Sequence, residues 1–120
     1  MPLQSYKELQ VWQRSIELVK EIYKITKEFP KEELYGLVSQ MRRAVISIPS
    51  NIAEGYRRRS LGEYIRFLSI ADASSAELET QLIIAKDLFS HVDFSRTEDL
   101  LSEVQKMLVV IICRLKEKNS

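Results

Sequence analysis

The residues best suited to chemistry lie together in the stretch SIPSNIAEGYRRRS, at positions 47–60. It contains the amide of Asn51, the carboxylate of Glu54 and three consecutive arginines, Arg57, Arg58 and Arg59. Carboxylates can hold metal ions, whereas the planar guanidinium of arginine suits phosphate oxygens. The stretch therefore raises three hypotheses: a catalytic centre, a nucleic-acid contact, or a packing element of the fold.

The remaining residues give little support to a catalytic centre. His91 is the single histidine, so no His-His metal pair, HExxH motif or Ser-His-Asp set can form. Glu54, Glu77 and Glu79 suggest a di-iron bundle, but the Glu-x-x-His motifs of such bundles are missing, which favours salt bridges instead. We therefore expect no enzymatic activity, no metal and no cofactor. The arginines expected to pair with these carboxylates are Arg43, Arg58 and Arg66.

Positive charge is concentrated around the same stretch. Residues 42–66 contain six arginines and two glutamates, a net charge of +4, whereas the whole chain carries +1. The patch could bind the phosphates of a nucleic acid. Alternatively, the arginine triplet is a solvated helix end whose cations complement the helix dipole, and the sequence leaves both interpretations open. The candidate nucleic-acid-binding residues are Arg42, Arg43, Arg57, Arg58, Arg59 and Arg66.

A polar strip lies on the same predicted helix, centred about 130° from its apolar row. In one interpretation, Asn51 and Glu54 form hydrogen bonds to a neighbouring helix and fix the register of the bundle. In the other, the strip contacts another subunit or a phosphate backbone. Because unpaired polar groups at helix contacts are costly, the structural interpretation is favoured. The strip consists of Gln40, Arg43, Ser47, Asn51, Glu54 and Arg58.

Apolar periodicity predicts four helices, covering residues 6–28, 32–58, 61–89 and 96–118. Ser-x-x-Glu capping boxes that begin at Ser5, Ser60 and Ser95 mark three of the helix starts. In the second predicted helix, the three- and four-residue spacing of apolar residues continues unchanged through Pro49. We therefore predict one helix that is kinked near Pro49 rather than two helices. Short connections between long helices predict an all-α, antiparallel up-down four-helix bundle, with residues 1–120 as a single domain.

The predicted helices carry more apolar surface than one bundle core uses, which predicts a homo-oligomer. In the first helix, Val11, Leu18 and Ile25 form a second stripe outside the predicted inner row. The third helix has Ile70, Ile84 and Leu88 opposite its inner row, and residues 108–113 of the fourth are apolar on all sides. The predicted inner row of the first helix is Trp12, Ile16, Val19, Tyr23 and Thr26.

The chain shows no basic-then-apolar leader and no apolar run of the roughly 18 residues that a membrane span requires. We therefore expect a cytoplasmic protein without a membrane partner. The single cysteine, Cys113, lies in the apolar run LVVIIC and is predicted to be a buried, inert thiol.

Two segments, LVSQMRRA at 37–44 and SIPSNIAEG at 47–55, closely resemble the bacterial four-helix bundle proteins encoded in intervening sequences of 23S ribosomal RNA genes. Further similar segments extend the resemblance over nearly the whole chain. The resemblance implies a ring-like homopentamer with no known catalytic activity. The further segments are LQVW at 9–12, FP at 29–30, YGL at 35–37 and FLSIA at 67–71.

A related family, the accessory variability determinant of diversity-generating retroelements, is a similar pentamer that binds nucleic acid. By analogy, RNA or a nucleoprotein is a candidate partner. Asp72 and Ala73 depart from the resemblance, because the family often has a basic residue and a glycine there, and an acid weakens any positive field on the third helix. A purely structural or protein-interaction module that binds no nucleic acid is the alternative.

Overall fold

The computed structural model describes residues 5–119, which form four α-helices and no strand. The predicted all-α fold with four helices is confirmed. A 3₁₀ turn (Tyr6–Glu8) precedes α1, and a second 3₁₀ turn (Lys31–Glu33) with a π-helical segment (Leu34–Val38) precedes α2. The four helices are α1 (Gln10–Thr26), α2 (Ser39–Tyr56), α3 (Leu61–Leu88) and α4 (Ser95–Asn119).

Two of the three predicted capping serines act at the start of an element. The Ser5 hydroxyl accepts a hydrogen bond from the amide of Lys7, in a capping box that starts the first 3₁₀ turn. The Ser60 hydroxyl accepts from the amide of Glu63 at the start of α3. Before α4 the acceptor is Asp93, whose carboxylate binds both the amide and the hydroxyl of Ser95. Asp93 therefore takes the capping role that was predicted for Ser95.

Contacts between the helices show that neighbours in the bundle run antiparallel. Arg14 in the first half of α1 lies 3.2 Å from Glu103 in the middle of α4, whereas Glu21, further along α1, lies 3.8 Å from Arg96 at the start of α4. The helices α3 and α4 show the same reversed order. Their pairs are Lys86 with Glu98 at 2.9 Å and Ser75 with Gln105 at 3.4 Å.

The core-facing side of α1 differs from the predicted inner row. Val11, Leu18 and Ile25, which the sequence placed on an outer stripe, are at most 2 % exposed, so that prediction was wrong. Thr26 is buried as predicted, and its hydroxyl donates to the carbonyl oxygen of Ile22. The other predicted inner residues are only half-buried. The helix α1 is rotated about its axis relative to the prediction, so these residues lie at the edge of its core-facing side. They are Trp12, Ile16, Val19 and Tyr23.

Large apolar side chains on the outside of α3 and α4 remain exposed in the single chain. Ile84 and Leu88 are 45 % and 61 % exposed, as the second row on α3 predicted. Cys113 is also exposed, so the prediction of a buried thiol is wrong for the single chain. It lies about 140° around α4 from the buried Leu108, and this angle turns it away from the core.

The helix α2 continues without interruption through Pro49, which is buried within it. A break at this proline is therefore excluded, whereas a bend remains a prediction. The irregular backbone lies before α2 instead: Gly36 has φ −111° and ψ −109°, values outside the helical region. Within residues 5–119, no helix is long and apolar enough to cross a membrane.

Candidate nucleic-acid interface

The close packing of α2 against α3 begins at Gly55. A Cβ atom at this position would lie 2.7 Å from the Cβ of Phe67 and 3.1 Å from Cδ1 of Tyr64, both closer than normal contact. A glycine is therefore required for the end of α2 to approach the start of α3 this closely. The approach brings the arginines at the end of α2 next to those at the start of α3. We call this region the α2–α3 corner, residues 54–67.

Two of the candidate arginines share an aromatic ring at the α2–α3 corner. The guanidinium carbons of Arg58 and Arg66 lie 4.6 Å and 4.9 Å from the centroid of the buried Phe67 ring. A cation at this distance from a ring is attracted by its π electrons, which limits the positions that the arginine occupies. Arg57 and Arg59 lie beside this pair and are exposed. Four of the six predicted arginines therefore lie in one region.

The other two predicted arginines lie at the opposite end of α2. Arg42 is about 24 Å along the helix from Arg58, given 1.5 Å per residue. Its guanidinium lies 4.4 Å above the Tyr23 ring and donates to the Thr26 hydroxyl at 3.1 Å, so it links α2 to α1. Arg43 is exposed at the same end. The six arginines thus form two separate groups rather than the single patch that the sequence predicted.

The polar strip of α2 contains a hydrogen-bonded connection to α3. The hydroxyl groups of Ser47 and Ser74 lie 2.8 Å apart, and the Asn51 amide donates to the carbonyl and hydroxyl oxygens of Ser47 at 2.8 Å and 2.9 Å. Asn51 thus forms its hydrogen bonds to Ser47, and Ser47 contacts α3. The predicted direct hydrogen bond from Asn51 to a neighbouring helix is not formed in the part of the chain that the structure describes. Among residues 5–119, Glu54 forms no hydrogen bond to another helix, because its side chain points into solvent. Gln40, Arg43 and Arg58 of the strip are also exposed.

The carboxylate partner of the arginine cluster is Glu63. Its oxygen lies 3.0 Å from Nε of Arg66 one turn along α3, and this hydrogen bond lowers the pKa of Glu63. The pairs that the sequence predicted for Glu54, Glu77 and Glu79 do not occur among the described residues. No group of three or more carboxylate, histidine or cysteine side chains there could hold a metal ion.

The family model described as 23S rRNA-intervening sequence protein matches residues 7–110 of the chain. The chain belongs to that family. The family resemblance stated from the sequence is therefore confirmed. The helix α4 extends beyond the matched range, and Arg114, Lys116 and Lys118 in its last turns lie outside it.

A solved structure has a similar fold. It is the crystal structure, at 1.70 Å resolution, of a protein with unknown function from the S23 ribosomal protein family of Bacteroides thetaiotaomicron. The two chains are 25 % identical and superpose with a TM-score of 0.74, over 85 % of this chain and 94 % of the other. No curated protein matches the chain.

In this member of the 23S rRNA-intervening sequence family, charge is strongly separated along the bundle. Three segments meet at one end of the bundle because the helices are antiparallel: residues 5–14, 54–66 and 106–119. Together they contain ten lysines and arginines and four glutamates, a net charge of +6. The remaining segments, 15–53 and 67–105, contain eight cations and thirteen carboxylates, a net charge of −5. We call the first region the basic end. It places the last turns of α4 in the same positive field as the α2–α3 corner.

Sequence reasoning missed the aromatic residues of the basic end. Tyr6, Tyr56 and Tyr64 lie close to the arginines, and Tyr6 with Tyr56 and Arg57 lines a small cleft. The alternation of aromatic and basic residues in YRRR at 56–59 and YIRF at 64–67 could have indicated this arrangement. The contribution of Tyr6 could not have been found, because it depends on how the chain before α1 crosses the end of α2.

Alkaline pH provides a test of the packing at this corner. Burial, reinforced by the nearby Tyr56, raises the pKa of Tyr64 to about 12. Because the unfolded chain loses this proton near pH 10, the stabilisation is fully present below pH 10 and is lost as the pH rises towards 12. We expect the free energy of unfolding to fall more steeply over this interval than in Tyr64→Phe. Urea unfolding of both chains at several pH values measures the difference, and equal slopes would contradict the assignment.

Proposed function

We propose that the chain is a non-enzymatic RNA-binding bundle whose basic end contacts phosphates. The observation that carries this proposal is the placement of Arg58 and Arg66 over one Phe67 ring, with Arg57 and Arg59 exposed beside them. Arginines whose positions are already restricted lose less side-chain entropy when they bind. The guanidinium groups of Arg57, Arg58 and Arg59 can each donate two hydrogen bonds to one phosphate, whereas Arg66 already donates to Glu63 and adds positive charge.

The helix dipole accounts for only part of this cluster. Arg57, Arg58 and Arg59 follow directly after the C-terminal end of α2, where cations are stabilised by the dipole. Arg66, however, lies in the second turn of α3, near the positive end of that helix, where the dipole gives a cation no stabilisation. Glu63 and the Phe67 ring hold Arg66 there instead, which brings a fourth cation next to the triplet and supports an anion-binding surface.

The choice of RNA as the polyanion is supported by the family description, which names the 23S rRNA intervening sequence. A net charge of +6 at one end of the bundle also provides the electrostatic attraction that nucleic-acid binding requires. A nucleoprotein that exposes RNA phosphates fits the same surface.

A filter-binding assay over a salt series tests the proposal. The chain should bind RNA at low salt, and affinity should fall as salt rises from 50 to 200 mM. In the variant R57Q/R58Q/R59Q we expect at least a tenfold weaker affinity at low salt. The slope of log affinity against log salt should decrease by about 2, since each phosphate contact contributes about 0.7 for single strands.

The matched control removes three cations at the opposite end of the bundle. Lys24, Lys27 and Lys31 are exposed, and the variant K24Q/K27Q/K31Q has the same net charge as the arginine variant. It should retain RNA affinity within about threefold. Equal losses of RNA affinity in the two variants would show that only the total charge matters. If the unmodified chain has no RNA affinity at low salt, the alternative of a structural or protein-interaction module remains.

We also propose that copies of the chain associate as a homo-oligomer, with five subunits expected from the resemblance. The exposed apolar side chains of α3 and α4 support this proposal, since Ile83, Leu88 and Val109 are 52 % to 61 % exposed. A small monomer rarely exposes so many aliphatic groups. Association would also bring several basic ends together and strengthen the attraction for RNA.

Light scattering coupled to size-exclusion chromatography tests the association. We expect a mass of several subunits for the unmodified chain, and a smaller mass for the variant I83E/L88E, because two carboxylates would lose hydration on burial. The control S69E/T80E places the same charges at other exposed positions of α3 and should leave the mass unchanged. A folded chain with the mass of one subunit would refute the association.

A further inference from the structure

We propose that the cleft between Tyr6 and Tyr56 binds an unpaired base of single-stranded RNA, with the adjacent phosphate on Arg57. This inference rests on the proposed function and specifies the form of RNA. The cleft has a volume of about 300 Å³ and is lined by Ser5, Tyr6, Tyr56 and Arg57. This volume lies at the lower limit of known small-molecule sites, roughly 300 Å³.

Both aromatic walls of the cleft are held by a second ring. Tyr6 packs edge-to-face against Trp12 with ring centroids 5.4 Å apart, and Tyr56 packs edge-to-face against Tyr64 at 5.8 Å. Each wall is half-buried, so its ring is fixed in position yet still accessible from the cleft. A ring that is fixed before binding loses little entropy when a ligand stacks on it.

The chemistry of the lining matches a nucleotide. Aromatic side chains stack on the face of any base, and an arginine beside them can bind the phosphate that precedes or follows that base. Arg57 fills this role, and the stacked cations Arg58 and Arg66 extend the same positive surface towards α3. The two kinds of group that single-strand binding requires are thus adjacent at the basic end.

The geometry favours single-stranded RNA over a duplex. In A-form RNA the bases are stacked on one another and the major groove is too narrow for side chains to enter, so a duplex offers only its phosphates and sugars. Binding to a duplex would therefore involve the arginines but leave the two tyrosines unused. The tyrosines distinguish the two forms of RNA, whereas the arginines do not.

The experiment compares a single-stranded RNA of about 12 nucleotides with a duplex of the same length, at low salt. In Tyr56→Leu we expect the affinity for the single strand to fall about tenfold, a typical loss for one stacked base, while the affinity for the duplex stays within twofold. Tyr56→Phe keeps the ring and should restore single-strand affinity. Trp12 is the only tryptophan of the chain, so quenching of its fluorescence by the single strand reports directly on the wall that contains Tyr6.

A second variant protects the test against loss of folding. Tyr6 precedes α1, so Tyr6→Leu leaves α1 to α4 unchanged and should give the same selective loss of single-strand affinity. Equal losses for both RNA forms, or unchanged affinity in both leucine variants, would overturn the inference and leave the arginine interface standing. No binding of either RNA by the unmodified chain would instead refute the proposed function itself.

Discussion

Replacing Gly55 by valine is expected to destabilise the bundle by about 3 kcal/mol. The Cβ of any side chain at this position would lie 2.7 Å from the Cβ of Phe67, which is fixed to the backbone of α3 and cannot rotate away. The helices must therefore separate, and the packing of α2 on α3 is the most extensive contact between helices in the described structure. Equilibrium unfolding in urea measures the loss of free energy.

Gly62 provides the matched control for Gly55. A Cβ at Gly62 would meet no atom within 4 Å, so Gly62→Val should change the free energy of unfolding by less than about 0.5 kcal/mol. If Gly55→Val unfolds at the same urea concentration as the unmodified chain, the close approach at the α2–α3 corner is incorrect. The surviving folded fraction of Gly55→Val should also bind RNA less tightly, since Arg58 and Arg66 would no longer share the Phe67 ring.

Truncation of Leu18 to alanine is expected to cost about 2–5 kcal/mol of unfolding free energy. Leu18 is fully buried in the core on α1, and its removal leaves a cavity that the neighbouring side chains fill only in part. Calorimetric or urea unfolding gives the value directly.

Ile16→Ala is the matched comparison for Leu18→Ala, because Ile16 belongs to the row that the sequence predicted to face inward. It is half-buried, so its truncation removes less contact and should cost about 1 kcal/mol or less. A larger loss for Ile16 than for Leu18 would mean that the core-facing side of α1 is the one that the sequence predicted.

The sequence predicted six of the eight helix ends within two residues, because those depend on local chemistry. The starts of α1 and α2 were predicted wrongly, since these helices begin at Gln10 and Ser39 rather than at 6 and 32. The predicted starts lie in the 3₁₀ turns Tyr6–Glu8 and Lys31–Glu33 instead. Ser60 caps α3 one residue before it begins, and Pro30 prevents α1 from continuing into α2. The core-facing side of α1 could not be predicted in the same way. Its two stripes are both apolar, and the choice between them depends on where α2 and α4 pack. The spacing of apolar residues within α1 carries no information about those packing partners.

The candidate site could be predicted by residue type but not by grouping. The arginines suited to phosphate were all visible in the sequence, yet Arg42 and Arg58 are 16 positions apart in the chain and lie near opposite ends of α2. Arg66 joins Arg58 only because the chain reverses between α2 and α3. Tyr6 and Tyr56 are 50 residues apart, so their common cleft depends entirely on tertiary packing.

The separation of charge along the bundle affects how the molecule would approach a polyanion. The chain measures 46 Å along its longest axis and carries opposite charges towards the two parts of that axis, so it behaves as a large electric dipole. In the field of a polyanion such a body rotates during diffusion and arrives with its positive pole foremost. A larger fraction of encounters then has the orientation that binding requires. Dissolved salt shortens the distance over which this electrostatic steering acts.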